Sequence, residues 1–195
     1  MTIFLILAPY GAFSFLMLAT SATVSLFAAA GTCLVAIAID AVHGRSIKIL
    51  GAGSAVLFAG LGLYLLVWHP TWSNSAVRLA VDTGVLTISL GSMLLRRPFT
   101  LQYAIEAVPA ETAAMPGFLR SNYIITGAWT AATLLMLVSN VAMLYVPGLP
   151  FWTGLAIAFA ARYSALYFTR WYPEYQRLKH QEAAVAVRPV SSQTV

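Results

Sequence analysis

The stretch Tyr123 to Tyr145, "YIITGAWTAATLLMLVSNVAMLY", contains no Asp, Glu, Lys or Arg. At about 1.5 Å of rise per residue, such a run is long enough as a helix to cross a hydrocarbon core of about 30 Å. Comparable runs recur along most of the chain. Backbone amides in hydrocarbon have no water to bond, so a chain built this way is restricted to helices that satisfy their own hydrogen bonds. Composition agrees: 60% of the 195 residues are hydrophobic and 9% charged, where a soluble domain carries roughly a quarter charged. The mean hydropathy is +0.81.

The expected fold is therefore all-α: a polytopic transmembrane bundle of about six hydrophobic segments, five to six of them spans. Ile47 to Trp68, Tyr123 to Tyr145 and Phe151 to Trp171 read as spans, and Val77 to Leu95 reads as a fourth that carries Arg78 and Asp82 near its start. The uncharged region Ile3 to Ile39 reads as two helices, the first interrupted by Pro9, Tyr10 and Gly11, with a tight connection at "ATSAT", Ala19 to Thr23. Lacking a basic leader region, this N-terminal stretch is read as a retained membrane segment rather than a signal peptide. Residues 1–172 form the bundle and 173–195 a cytoplasmic tail, whose end is expected to be disordered because it has no large aromatic side chain to bury.

Lys and Arg cluster in His43 to Lys48, in Arg96 to Arg120 and in the tail, whereas the connections Pro70 to Ala76 and Val146 to Pro150 carry no charge. The positive-inside rule then puts the three basic segments and the C-terminus in the cytoplasm, with His69 and Pro147 outside. With six spans the N-terminus is cytoplasmic, and with five it is outside. The net charge of +5 is accounted for by orientation, and no nucleic-acid partner is expected. Trp68, Trp72, Trp152, Trp171 and Tyr172 fall at expected span ends, where amphipathic rings favour the headgroup level.

The longest connection, "RRPFTLQYAIEAVPAETAAMPGFLRSN", is too polar to span. Over Phe99 to Val108, Leu101, Ile105 and Val108 fall on one side of a helix while Gln102 and Glu106 share another, which predicts a short helix lying in the cytoplasmic interface. Pro98 separates it from the preceding span.

Chemistry is sparse. The single cysteine, Cys33, excludes an intramolecular disulfide and a cysteine metal cluster. His43 and His69 flank one span, roughly 30 Å apart, and His180 lies in the tail, so neither bis-histidine haem ligation nor a zinc site is expected. No phosphate loop or nucleophile elbow is present. Catalytic residues, metals and cofactors are expected to be absent.

Intramembrane polar groups are what remains. Arg162 stands in the middle of "IAFAARYSALYF", where an ionised side chain costs at least ~2.5 kcal/mol unless it faces protein. Gly154, Ala158, Ala165 and Thr169 share its helical stripe, and small residues permit close helix approach. Depth and the N-terminal lean of helical side chains select Asn140 and Asp82 as its partners, with Asp82 shared by Arg78 four residues earlier. The expected network is Arg162, Asn140, Asp82 and Arg78.

The order of a basic turn, a span, a charge-poor turn, a span ending in "RRPFTLQ", an amphipathic segment and a helix opening "FLRSNYIITGAW" resembles the intracellular septation A family of inner membrane-spanning proteins. Arg96, Arg97, Pro98, Gln102, Arg120 and Asn122 carry the likeness. It extends over Gly31 to Tyr172 in element order and over Arg96 to Trp129 in residue identity. The resemblance implies a non-enzymatic protein of the bacterial inner membrane, acting in envelope maintenance or division through contacts with other membrane proteins. Partners are then the lipid bilayer, other membrane proteins or a second copy in a homo-oligomer. The competing expectations are an accessory subunit of a larger membrane complex, for which the stripe Gly51, Ala55, Ala59 and Gly62 offers a contact face, and a small carrier or channel with Arg162 in its path.

Overall fold

A computed structural model describes residues 2–68, 71–146 and 148–186. All of its regular structure is helical: α1 (Thr2–Ala19), α2 (Ala22–Val42), α3 (Ile49–Trp68), α4 (Asn74–Leu94), α5 (Phe99–Ala107), α6 (Ala110–Ala113), α7 (Pro116–Tyr145) and α8 (Phe151–Ala186). The expected interruption at Pro9 is absent, and α1 runs through it. The connection after α1 tightens onto Thr20 and Ser21. There the Ser21 side chain accepts from the Val24 amide at 3.3 Å and starts α2.

Among the described residues, four helices are long and apolar enough to cross a membrane, namely α2, α3, α4 and α7. That is fewer than the five to six expected. In α1 the apolar stretch within the residues whose side chains are described, Leu7–Ala19, is shorter than these four. The segment Phe151 to Trp171, expected to span, belongs to the 36-residue α8, where Arg162 and the Trp and Tyr side chains dilute the apolar character. Beyond Trp171, α8 continues through Pro173 to Ala186, so residues 173–186 of the tail are helical. The end of the tail, 187–195, lies outside the described residues, as do His69 and Pro147.

Packing follows chain order: α1 lies against α2, α2 against α3, α3 against α4, α4 against α7, and α7 against α8. The core centres on Phe58, fully buried in α3, with the Tyr10 and Phe13 rings of α1 at centroid distances of 5.8 and 5.6 Å. Leu26, Ala29 and Cys33 of α2 and Val77 and Val81 of α4 complete it. Between apolar helices in lipid, such contacts stabilise through close packing rather than water release. The stripe Gly51, Ala55, Ala59 and Gly62 serves this internal packing: Ala55 is buried, and a Cβ at Gly62 would come within 3.3 Å of the Phe27 ring of α2. Only Ala59 in it is exposed.

Two helices end in the same way. After α2, Gly44 (φ 67) lets its amide reach Ala41 O while the Arg45 amide reaches Asp40 O at 2.9 Å. After α4, Arg96 (φ 56) does likewise, with its amide on Met93 O and the Arg97 amide on Ser92 O. This left-handed closure satisfies carbonyls that the helix leaves open, and it usually employs glycine. Arg96 adopts it without glycine's freedom.

Candidate intramembrane site

The contact of α4 with α7 brings two of the expected polar residues together: Asn140 Nδ2 donates to Asp82 Oδ2 at 2.6 Å, and Asp82 is 8% exposed. Arg78, one turn before Asp82, adds its charge to the same carboxylate. Arg162 of α8 is close enough for its charge to act on Asp82 and on the Tyr10 hydroxyl. It forms no hydrogen bond or ion pair with a described residue, however. Expected as the anchor of the network, Arg162 acts on Asp82 through its charge, and the two residues face the same space.

That space is a cavity of about 410 Å³. Asp82, Val85 and Ser89 of α4 line it, with Asn122, Ile125, Trp129, Thr133 and Met136 of α7, and Arg162, Leu166, Thr169 and Arg170 of α8. Thr100 and Tyr103 of α5 close one end. Arg162 and Arg170 are two turns apart on one face of α8, about 12 Å along the axis, with Leu166 between them. Trp129 Nε1 donates to Thr169 Oγ1 at 2.9 Å, and Ser89 and Thr130 share a 2.7 Å hydrogen bond. These bonds fasten the walls, and Arg162 and Arg170 are the cations that line the interior among the described residues. Most of the lining is apolar.

A second cavity, of about 120 Å³, lies between α1, α2, α3 and α5 and is lined by Cys33, Asp40, His43, Arg45 and Lys48 among others. Tyr10, Leu50 and Tyr103 line both cavities and so form the wall between them. Tyr10 is fixed there by a 2.5 Å hydrogen bond between its hydroxyl and Ser54 Oγ. Burial raises the Tyr103 phenol above its ordinary range, so the group is neutral at physiological pH.

A polar joint ties α5 to the start of α3. Gln102 Oε1 accepts the Ile49 amide at 2.7 Å, and Glu106 accepts from the Ser46 amide at 3.2 Å, from Ser46 Oγ at 3.0 Å and from Lys48 Nζ. The Lys48 side chain is 3% exposed and Glu106 26%. Burial alone would raise the Glu106 carboxyl, but the Lys48 and Ser46 hydrogen bonds outweigh it and hold the group below its ordinary value. Read from sequence, Lys48 was one basic residue in an orienting turn. The signal for its role was the pair Gln102 and Glu106, one turn apart and able to point toward the same orphan amides of a helix start.

The helix expected over Phe99 to Val108 forms as α5, Phe99–Ala107, packed on α7 and α4. Its bundle-facing residues are Phe99, Thr100, Gln102 and Tyr103, while Leu101 and Val108 are half-buried and Ile105 is 49% exposed. The six motif residues separate into two groups. Pro98 is fully buried at the start of α5, Gln102 belongs to the polar joint, and buried Asn122 lines the large cavity while its side chain donates to Phe118 O at 2.9 Å. Arg96, Arg97 and Arg120 are exposed. Among the described residues no group of three His, Cys, Asp or Glu side chains is placed to hold a metal ion. No protein family, curated protein or solved structure matches the chain.

Proposed function

We propose that the protein is a multi-pass, non-enzymatic protein of the bacterial inner membrane that binds a small solute in the chamber between α4, α7 and α8 and acts as a carrier for it. The observation that carries this reading is the open guanidinium of Arg162 on a cavity of about 410 Å³, a volume within the usual range for small-molecule sites of roughly 300–1,000 Å³. An intramembrane arginine whose donors are used up by other helices serves as a tether, whereas one whose donors face a cavity is available to a ligand. In this reading α1 and α8 also cross the membrane, giving six segments. The α5 end of the bundle and both termini are then cytoplasmic, as the distribution of Lys and Arg requires.

Cysteine labelling tests it. In a Cys33→Ser background, Ala132→Cys on the chamber wall should react with a charged, membrane-impermeant thiol reagent, and Leu134→Cys, exposed on the outside of α7, should not. Reaction at 132 from both sides of the membrane is expected of a carrier, and reaction from one side alone reduces it to a binding site. Equal inertness of the two positions overturns the chamber. Labelling of Asn74→Cys from the cytoplasmic side alone overturns the orientation.

A contact role in envelope maintenance or division, which the resemblance to septation A proteins implies, is favoured by one observation: Arg96, Arg97 and Arg120 are all exposed. Loss of a co-purifying membrane protein on replacing the three with Gln, with chamber labelling unchanged, would favour that role over transport.

A further inference from the structure

The charges around the chamber do not balance. Two cations, Arg162 and Arg170, line the large cavity against one carboxylate, Asp82, and that carboxylate already accepts from Asn140 at 2.6 Å. Among the described residues no other acidic side chain lines it, and Arg170 stands nearer the α5 end than Arg162. An excess positive charge held among apolar helices is costly, because the low-dielectric surroundings neither hydrate nor screen it. A single negative charge delivered by a ligand would neutralise the excess of the two lining arginines over Asp82, while a cation would add to it. Arg170 stands two turns away along the same face of α8, placed to draw an anion toward Arg162. Between the arginines the surface is apolar, with Leu166 facing Val85, Ile125, Trp129 and Met136 of the other walls.

We propose, resting on the chamber reading above, that the chamber is an anion site: its ligand is a monoanion with an apolar body, the acidic group taken by the Arg162 guanidinium and the body packed against Trp129, Met136 and Leu166. Asp82 tunes the site by opposing the same charge that the ligand uses. Removing the Asp82 charge therefore strengthens anion binding, the reverse of what a structural ion pair with Arg162 would produce. The acidic head and apolar body belong equally to a small organic acid and to an acidic lipid, and the test separates these sources.

The full chain, purified in neutral detergent, is titrated with 3-phenylpropanoate, 3-phenylpropanamide and 3-phenylpropylamine while tryptophan fluorescence and the thermal transition are followed. The acid should bind about tenfold to a hundredfold more tightly than the amide, as expected for a charge-assisted hydrogen bond lost, and the amine should bind weakest. Arg162→Gln should erase the preference of acid over amide, and Asp82→Asn should tighten the acid several-fold. Should Arg162→Gln fail to fold, the Asp82→Asn comparison decides alone. An acidic-lipid source is indicated if phenylpropanoate is silent but nanodiscs of phosphatidylglycerol raise the thermal transition over phosphatidylcholine, and the Asp82→Asn variant enlarges that rise. Equal binding of acid and amide, or weaker acid binding by Asp82→Asn, overturns the anion assignment and leaves the chamber standing. Silence of all three probes and of both lipids overturns chamber and anion site together.

Discussion

Replacing Glu106 with Gln isolates the polar joint between α5 and the start of α3. The change keeps the side chain's shape and its acceptor oxygen, so the bonds from the Ser46 amide and hydroxyl can survive. What it removes is the charge opposite Lys48, whose side chain is 3% exposed and would be left with Ser46 O at 2.8 Å and Ser46 Oγ at 3.2 Å as neutral partners. Breaking a fully buried pair by deleting one charge costs about 3–5 kcal/mol. Because Glu106 is 26% exposed, water screens part of the interaction, and about 1–3 kcal/mol is expected. Lys48→Met should cost less, since the carboxylate left behind can be hydrated. The double variant should recover part of the Glu106→Gln loss, through coupling between contacting residues. Thermal unfolding in one detergent, read by circular dichroism, measures all four proteins. Acid gives a second handle. With its folded-state value depressed, Glu106 contributes stability that is complete above the unfolded value of about 4.3 and is lost as pH falls through the folded one. The wild type should therefore lose stability below about pH 4.3 by more than Glu106→Gln does. A Glu106→Gln protein as stable as wild type at neutral pH, or a double variant as unstable as the sum of the singles, would refute the pairing.

Arg96→Gly should stabilise the protein by about 0.5–1 kcal/mol, because glycine adopts the φ of 56 found there without the Cβ conflict that left-handed backbone imposes. A lower transition temperature would mean that the exposed Arg96 side chain contributes more than its backbone costs. Phe58→Ala removes the ring on which Tyr10 and Phe13 pack and should cost about 3–5 kcal/mol. A loss below about 1 kcal/mol would show that α1 is not fastened to α3 through this contact.

Residue types alone determined that this chain is helical and apolar. Uncharged runs the length of Tyr123 to Tyr145 leave backbone groups no partner but one another, whatever the neighbouring helices do. The same local logic located α5 behind Pro98, since a proline there withholds an amide from the preceding helix. It also singled out Arg162, Asp82 and Asn140 as charged or amide groups that hydrocarbon would not tolerate alone.

Local patterns could not decide how those groups meet. Asn140 reaches Asp82 because α4 packs on α7, whereas Arg162 of α8 and Asp82 face one cavity with no ion pair between them. The course of α1 through Pro9 rests on its packing against α2 and the Tyr10 bond to Ser54, contacts with no local signature. Lys48 could be counted for orientation from sequence, but its burial against Glu106 required α5 to fold back over the start of α3. Helix formation is written residue by residue because each amide bonds within four positions. Cavities, charge imbalance and buried ion pairs arise from distances between helices, which only packing of the whole bundle sets.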